Sequence, residues 1–372
     1  MSKINNLIKK LCDNGVKYKK LEDCCNILDS KRKPVSKGVR EAGEYPYYGA
    51  NGIQDYINDY IFDGKYVLVG EDGSVQTAYG TPVVNWATGK IWVNNHAHII
   101  EEIDGVSLRY LYHYLQIVDV KDLIHGNIPK LNQRDFRNIR IAIPPLEVQE
   151  EIVRILDKFG ELEAELEAEL EARKSQYEFW RGQMFKRKGN TKISDIFTRV
   201  KGTAITAGKM KKIEDPNGKI RIFAGGQTAV NANLEDIPKA NIIDYPCVIV
   251  QSRGLIDFVY YDKPFTFKNE MWAYTCDNQV TIKYLYYYLK NNVNYFREIG
   301  TQMGSMPQIS LPVTEKFEIY LPTLEEQKKV VNILDKFEKL ISDISIGLPA
   351  EIELRKKQYE YYRNKLLSFE VL

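Results

Sequence analysis

Two long segments of the chain carry apolar residues at alternating steps of four and three positions. The first segment covers residues 146–188 and the second covers residues 322–372. In the first segment the stripe consists of Ile152, Leu156, Phe159, Leu166, Leu170, Tyr177, Trp180 and Met184, with Glu163 and Arg173 at the remaining steps. Such spacing lines one face of a helix, as in a coiled coil. Because one helix cannot bury its own stripe, we predict two long helices that pack on each other.

The two segments repeat the same sequence phrase. Asp157 of the first segment matches Asp335 of the second, and the residues before and after them match at the same offset. A repeat of this length is well above the periods of solenoid proteins, so it predicts two similar units of about half the chain each. In the second segment an insertion around residues 347–350 interrupts the match. Pro349 within it predicts a kink or break of that helix.

The parts of the chain between the long helices share a mixed framework. Each part contains a glycine-rich turn, an apolar strand, an aromatic helix and a proline turn in that order. The strands are residues 66–69 and 247–250, and the aromatic helices are residues 110–115 and 284–289. The polar residues on this framework differ between the two halves. Two domains that recognise different targets would show this combination of a shared framework and different polar residues.

These patterns divide the chain into four segments, as follows. Two globular domains are predicted at residues 1–145 and 189–321, a central long helix at residues 146–188 and a C-terminal long helix at residues 322–372. In the central helix, every second residue from 161 to 171 is Glu. We expect this acidic face to be solvated or to meet a basic partner.

Composition limits the possible functions of the chain. Of its 372 residues 44% are hydrophobic, which is enough for packed cores. The net charge is only +2, so a nucleic-acid-binding protein of this composition needs local basic patches rather than a basic body. No apolar stretch approaches ~18 residues, so we expect no membrane span. The five Cys include no CxxC pair, which indicates a reducing, cytoplasmic environment.

The sequence lacks the motifs of several common enzyme classes. It has no phosphate-binding GxxxxGKS or GxxxxGKT, no HExxH and no GxSxG. The Asn-Pro-Pro-Tyr type of tetrapeptide found in adenine methyltransferases is also absent. His96 and His98 alternate along a strand, but they have no Cys partner motif, so we predict no metal site. We predict a packed strand end, with DNA contact as the alternative. The sequence therefore favours a recognition protein without catalytic activity of its own.

Several phrases carry a family resemblance. They are residues 15–21, 47–53, 66–73 and 95–98, the starts of both long helices, and residues 355–363. In their order and duplication the chain resembles the DNA specificity subunits of type I restriction–modification systems over essentially its whole length. The second half departs more from the family wording, at residues 223–226 and 251–254. Members of the family vary their target at such places.

The resemblance implies an architecture and a set of partners. The fold would be α+β, with two similar target-recognition domains separated by two long α-helices packed as an antiparallel coiled coil in a pseudo-twofold repeat. Each domain would read one half of a split, asymmetric site in double-stranded DNA. Two methyltransferase subunits carrying S-adenosylmethionine and restriction subunits using ATP and Mg would join in the cytoplasm, while this chain would bind no cofactor itself.

The same resemblance and the chemistry of base readout suggest candidate DNA contacts. Major-groove readout needs Asn, Gln, Arg, Lys, Ser or Thr at loop tips, and basic runs suit phosphates. The candidates in the first domain are Lys31, Arg32, Lys33, Lys37, Asn51, Gln54, Ser74 and Gln76. The candidates in the second domain are Lys209, Lys211, Lys212, Gln227, Thr228, Gln251, Ser252 and Arg253.

Two other functions remain open from the residues alone. A coiled-coil adaptor could use its globular domains to bind protein or glycan, and steeply salt-dependent binding of duplex DNA would argue against it. A stand-alone sequence-specific nuclease would need a carboxylate cluster that binds Mg²⁺. Glu71 and Asp72 have no acidic equivalent in Ser252 and Arg253, so no duplicated site is visible.

Overall fold

The computed structural model describes residues 2–73, 75–301 and 306–369. The chain forms two compact units. The first unit comprises Met1–Glu167 and Glu351–Leu372, and the second comprises Ala168–Ala350. The long helix that begins at residue 146 is therefore divided between the two units.

The helices and strands of the first unit are, in chain order, α1 (Ser2–Leu11), β1 (Lys17–Lys20), β2 (Asn26–Ile27), β3 (Ala42–Gly49), β4 (Gly52–Ile57), β5 (Phe62–Gly70), β6 (Val84–Val93), β7 (Ala97–Glu101), α2 (Leu108–Leu115), β8 (Ile124–His125), β9 (Lys130–Leu131), α3 (Gln133–Asn138), β10 (Arg140–Ile143) and the first part of α4 (Leu146–Met184). After the rest of α4, the second unit continues with β11 (Thr191–Lys192), α5 (Ile193–Ile196), β12 (Thr198–Lys201), α6 (Ala207–Lys212), β13 (Ile220–Phe223), β14 (Ala229–Ala232), β15 (Cys247–Gln251), β16 (Asp257–Tyr261), β17 (Phe265–Phe267), β18 (Trp272–Thr275), α7 (Gln279–Asn291), α8 (Val293–Thr301), α9 (Leu311–Glu315), β19 (Glu318–Ile319) and α10 (Leu324–Ser342). The last helix, α11, is Leu348–Leu367.

Strand β5 is central to the sheet of the first unit, whose order is β2-β7-β5-β6-β3-β4. It pairs antiparallel with β6 and β7, and β3 runs parallel to β6. Alternate residues of a strand point to opposite faces. Val67 and Val69 pack in one apolar cluster with α2, whereas Tyr66 and Leu68 pack in another. Burial of both faces explains why this strand is a continuous apolar run in the sequence.

The second unit repeats this arrangement around β15. Its sheet has the order β12-β18-β15-β16, and a separate sheet has the order β14-β13-β17. Val248 and Val250 pack in the cluster that contains residues of α7, whereas Cys247 and Ile249 pack in a different cluster. The predicted α+β framework, with the same apolar strand and aromatic helix in each half, is confirmed.

The central helix forms as one element, α4, and ends at Met184 rather than at the predicted residue 188. The C-terminal long helix is interrupted in the described part of residues 322–372, where α10 and α11 occupy the segment, so the predicted kink or break is confirmed. The break lies at residues 343–347, where the Asp343 carboxylate accepts hydrogen bonds from Ser345. Pro349 does not make the break itself, because it sits in the first turn of α11, where a missing N–H costs little.

Within the first unit, α4 and α11 run antiparallel. The rings of Phe159 and Tyr362 stack with their centroids 5.3 Å apart. Further along α4 and further back along α11, the ammonium of Lys356 lies 3.5 Å from Glu163 and 3.0 Å from Glu167. Part of the acidic face of α4 therefore contacts a basic residue of this chain, Lys356. No helix of the described residues is long and apolar enough to cross a membrane.

The matched aspartates of the repeat, Asp157 and Asp335, make equivalent hydrogen bonds in their units. In the first unit the Asp157 carboxylate accepts a hydrogen bond of 2.8 Å from Arg109 of α2. In the second unit Asp335 accepts from Lys283 and Tyr287 of α7, at 2.8 and 2.5 Å. Each aspartate thus joins the aromatic helix of its unit to the long helix that follows. The repeat therefore extends from the sequence to individual hydrogen bonds.

His113 adds a titratable group to this contact in the first unit. Its Nε2 lies 2.8 Å from the Asp157 carboxylate and its Nδ1 lies 3.1 Å from the Tyr359 hydroxyl. The neutral imidazole can donate through Nε2 and accept through Nδ1, so both contacts are satisfied without a charge. Burial lowers the pKa of His113 below its ordinary 6.5, although Asp157 opposes the shift.

We expect this histidine to make the first unit less stable in mild acid. Below about pH 6.5 the unfolded chain binds a proton that folded His113 resists, so the free energy of unfolding falls as the pH falls. His113→Gln keeps a donor and an acceptor but does not titrate. Hydrogen exchange of the α2 amides between about pH 7 and about pH 5.5 should show a smaller loss of protection in the variant. An equal loss in both proteins would contradict this assignment.

Candidate functional site

In the first unit, the loop that follows β5 is held against β9. The N–H of Leu131 donates to the Glu71 carbonyl at 2.8 Å, and the N–H of Gly73 donates to the Pro129 carbonyl at 2.9 Å. Gly73 has a φ of +75°, in the left-handed region that favours glycine. We call residues 71–73 and 129–131 the first corner. Ser74, a predicted contact, lies outside the described residues.

The second unit contains the same backbone arrangement. The N–H of Ile309 donates to the Ser252 carbonyl at 2.9 Å, and the N–H of Gly254 donates to the Pro307 carbonyl at 2.8 Å. Gly254 also has a positive φ, +77°. We call residues 252–254 and 307–309 the second corner. The two corners share their hydrogen bonds, so they are equivalent places in the repeat that carry different side chains.

A buried ion-pair network supports the first corner. His98 has both ring nitrogens facing oxygens, with Nδ1 2.7 Å from the Asp29 carboxylate and Nε2 2.9 Å from the Leu131 carbonyl. A carboxylate and a carbonyl only accept, so an N–H on either ring nitrogen of His98 has an acceptor within hydrogen-bonding distance. Arg32 donates to the Glu71 carboxylate at 2.6 Å. This network connects the first corner to residues far away in the sequence.

The pKa of Asp29 reports the balance of forces in this network. Burial on its own would raise the pKa of the carboxyl. The hydrogen bond and charge of His98 and the charge of Arg32 outweigh burial, and they hold the pKa below its usual 3.8. Asp29 is therefore an ionised, buried group that depends on its cationic partners.

Among the residues that the structure describes, Asp29, Glu71 and His98 form a group whose spacing could suit a metal ion. The chemistry of the site argues for an ion-pair network instead. The His98 nitrogen that would bind a metal donates to Asp29, and Arg32 and Lys130 already supply positive charge to Glu71, at 2.6 and 3.2 Å. A metal ion would have to displace these cations.

The equivalent interior of the second unit is uncharged. Trp272 stands where the first unit has His98, and its indole N–H donates to the Thr314 hydroxyl at 3.0 Å. The Ser252 hydroxyl donates to the Glu270 carbonyl at 2.7 Å. The two corners therefore share a backbone arrangement, but buried ion pairs support the first and buried neutral hydrogen bonds support the second.

A cavity of about 680 Å³ in the first unit is lined by Gln54, Asn94, His96 and much of the loop at residues 34–40. The Asn94 amide donates to the Gln54 side chain at 3.3 Å, and the His96 N–H donates to the Asn94 side chain at 2.8 Å. The His96 ring pairs with Asp72 of the first corner. Amide and imidazole groups thus face one cavity, and such groups can hydrogen-bond base edges.

A cavity of about 580 Å³ lies beside the second corner. Lys211, Thr228 and Arg253, which are predicted contacts, all line it, together with Gly225 and Gly226. The N–H of Gly226 donates to the Arg253 carbonyl at 2.9 Å, which ties the glycine turn to the corner. The fold therefore brings together three candidates that are far apart in the sequence.

The structure sorts the predicted contacts of the first unit by exposure. The exposed candidates are Lys31, Lys33, Lys37, Asn51, Gln54 and Gln76. Arg32 differs from its basic neighbours, because its side chain is only 11% exposed and is engaged by Glu71 and by the Ala97 carbonyl. Its guanidinium supports the fold rather than offering a free charge to a phosphate.

The predicted contacts of the second unit are divided in the same way. The exposed candidates are Lys209, Lys211, Lys212, Gln227, Thr228 and Arg253. Gln251 and Ser252 are buried, with exposures of 5% and 2%, because the buried strand continues into the loop. The side chains of Gln251 and Ser252 are therefore inaccessible to a partner in this structure. DNA contact by the exposed candidates stays a prediction.

Sequence reasoning missed part of the cavity walls. Asn94 and Asn95 line the first cavity, and Lys268 and Glu270 line the second. The paired asparagines were a readable signal, since such residues favour turns and present amide groups there. Lys268 and Glu270 had no such signal, because only the fold brings the end of β17 to the glycine turn.

Comparisons with known proteins give a consistent result. The chain matches the family described as type I restriction modification DNA specificity domain over residues 14–172 and again over residues 187–354. It is 34% identical to a Haemophilus influenzae protein named as a type I restriction enzyme specificity subunit, and the match covers 98% of each chain. It is 31% identical to the EcoR124I/EcoR124II specificity subunit of Escherichia coli, over 70% of this chain and 71% of that one.

Solved structures share the fold. An S subunit of a type I restriction–modification system from M. genitalium aligns with a TM-score of 0.63 at 15% identity, covering 95% of this chain and 96% of that one. A chain from a study of complex assembly in the type I system aligns with a TM-score of 0.56 at 12% identity, covering 95% and 97%.

Proposed function

Because this chain belongs to the type I restriction–modification DNA specificity family and is a non-catalytic DNA-recognition subunit, we propose that each unit reads one half of a split, asymmetric site. The same family domain matches twice, over residues 14–172 and 187–354, so the chain carries two modules of one type. Modules with one framework and different surface groups can read different sequences.

One observation carries this proposal more than any other. The two corners have equivalent backbone hydrogen bonds, but they carry Asp72 in one unit and Arg253 in the other. The guanidinium of Arg253 can donate to base acceptors, whereas the first corner presents the Asp72 carboxylate paired with the His96 ring. The difference at one repeated place therefore supports two half-sites of different sequence.

The partners follow from the same proposal. Two methyltransferase subunits would supply S-adenosylmethionine, and restriction subunits would supply ATP- and Mg-dependent cleavage. The long helices would hold the two readers at a fixed spacing, since two half-sites on one face of B-DNA lie about 34 Å apart per helical turn. We place this assembly in the cytoplasm, with the host chromosome. This chain would contribute recognition and no cofactor.

Binding measurements on the complex with its methyltransferase can test this function. The complex should prefer a duplex containing both half-sites, and scrambling either half should abolish the preference. The logarithm of the binding constant should fall linearly with the logarithm of the salt concentration. A complex that binds all duplexes equally would support the adaptor alternative. Metal-dependent cleavage of DNA by the pure chain would instead support the nuclease.

A further inference from the structure

The second corner holds the backbone of Arg253 in place and leaves its side chain exposed. The Arg253 carbonyl accepts from Gly226, and the backbone of Arg253 pairs with that of Gln308 as a β-bridge. Among the residues that the structure describes, no hydrogen bond or ion pair engages the guanidinium. The nearby Glu270 carboxylate is paired with Lys268 at 2.7 Å. The result is an exposed guanidinium on a fixed backbone. Burial would raise the pKa of Glu270, but Lys268 and the charge of Arg253 lower it, so Arg253 acts on this carboxylate without a direct ion pair.

The cavity beside Arg253 gives a partner close access to this group. Gly225 and Gly226 form part of its wall, and Gly226 has a φ of +67°, which favours glycine. A Cβ added at Gly225 would be 3.8 Å from the Arg253 carbonyl, and one at Gly226 would meet nothing within 4 Å. The turn beside Arg253 therefore contributes backbone and no side chain to the cavity wall.

The equivalent place in the first unit has the opposite character. Asp72 stands at the position of Arg253, and its carboxylate is occupied by the ring of His96. The framework therefore does not require a cation at this position, since the same bridge forms with either residue. A contact between Arg253 and a partner explains this arginine better than a role in stabilising the second unit.

Arginine has a geometric match among the base edges of the major groove. Its guanidinium presents parallel N–H donors, and guanine presents O6 and N7 as adjacent acceptors. Resting on the proposed function, we propose that Arg253 determines specificity by reading a guanine in the half-site bound by the second unit. Lys209, Lys211 and Lys212 of α6 lie exposed near the same cavity and would contact phosphates.

The substitution Arg253→Lys separates base reading from phosphate binding. Lysine keeps the positive charge but lacks the planar, two-pronged donor set. In the complex with the methyltransferase, R253K should bind the cognate duplex roughly 10- to 100-fold more weakly. Discrimination at one guanine should fall, because lysine can still donate to guanine but cannot present two parallel donors, while the other half-site is read as before. Replacing that guanine by 7-deazaguanine should weaken wild-type binding more than it weakens binding by R253K.

Lys211→Ala is the matched control from the same cavity. It should weaken binding to all duplexes alike and reduce the salt slope by about 1, without altering base preference. Thermal melting of both variants should match the wild type, because both side chains are exposed. Undiminished discrimination at every guanine in R253K, or a loss that resembles that of K211A, would overturn the proposal.

The proposed function and this inference fail in different ways. If the wild-type complex shows no sequence preference, the proposed function fails and Arg253 has nothing to read. If the wild-type complex prefers a split site whose guanines are all insensitive to R253K, the function stands and the assignment of Arg253 is wrong.

Discussion

Replacing Asp29 with alanine should lower the free energy of unfolding of the first unit by roughly 3–5 kcal/mol, the usual cost of removing one partner from a buried ion pair. The Asp29 side chain is 2% exposed, and it accepts from His98 and from the N–H of Ile99. Its removal leaves the His98 ring and the N–H of Ile99 buried without their acceptor, and it takes from Arg32 a carboxylate 3.5 Å away. Denaturant unfolding, followed by hydrogen exchange of the β7 amides, measures this loss.

The Asp55→Ala variant is a suitable control for this experiment. Asp55 also pairs with an arginine, Arg40, but its side chain is 38% exposed, so a much smaller loss is expected. Because the pKa of folded Asp29 is lowered, its contribution is complete well above pH 3.8 and is lost as the pH falls through the folded value. The gap between wild type and D29A should therefore narrow in strong acid. Equal losses in D29A and D55A at neutral pH would show that the network does not support the first unit.

The second large effect concerns the break between α10 and α11. Deleting residues 347–350 removes Gly347 of the break and the first three residues of α11, which is about 4.5 Å of helical rise at about 1.5 Å per residue. If the long helices set the distance between the readers, methylation of the wild-type site should fall by at least roughly tenfold, as expected when a reactive geometry is displaced by several ångströms. The bases preferred within each half-site should stay the same. Sequencing the methylated sites of cells that carry the deletion tests both parts.

Pro349→Ala controls for the composition of the deleted segment. It keeps the chain length and lies in the first turn of α11, where alanine also fits. This variant should methylate the wild-type site normally. A deletion that changed the bases read, with the spacing intact, would show that the helices are not the spacer.

The features that the sequence revealed are periodic or duplicated. The stripe from Ile152 to Met184 predicted α4 because a coiled-coil seam needs a regular spacing that survives in the bare sequence. The match of Asp157 with Asp335 predicted the repeat, and the structure gives these residues equivalent hydrogen bonds. The break near Pro349 was also predicted, although the Asp343 carboxylate places it before the proline.

The features that the sequence hid depend on contacts between distant residues. Lys31, Arg32 and Lys33 look alike as a basic run, and only the fold shows that Arg32 turns inward to Glu71. Gln251 looked like a loop residue, but burial continues past the apolar strand to include it. Local propensity does not encode such differences, because the partner of each side chain is supplied by another part of the chain.

The central claim is that the two units together specify one split DNA site. The most direct test maps N6-methyladenine at base resolution in host DNA with this gene present and with it deleted. The account predicts that one split, asymmetric methylated motif is lost on deletion and that all other methylated motifs remain. An unchanged map, in cells where the neighbouring methyltransferase is shown to be expressed, would contradict it.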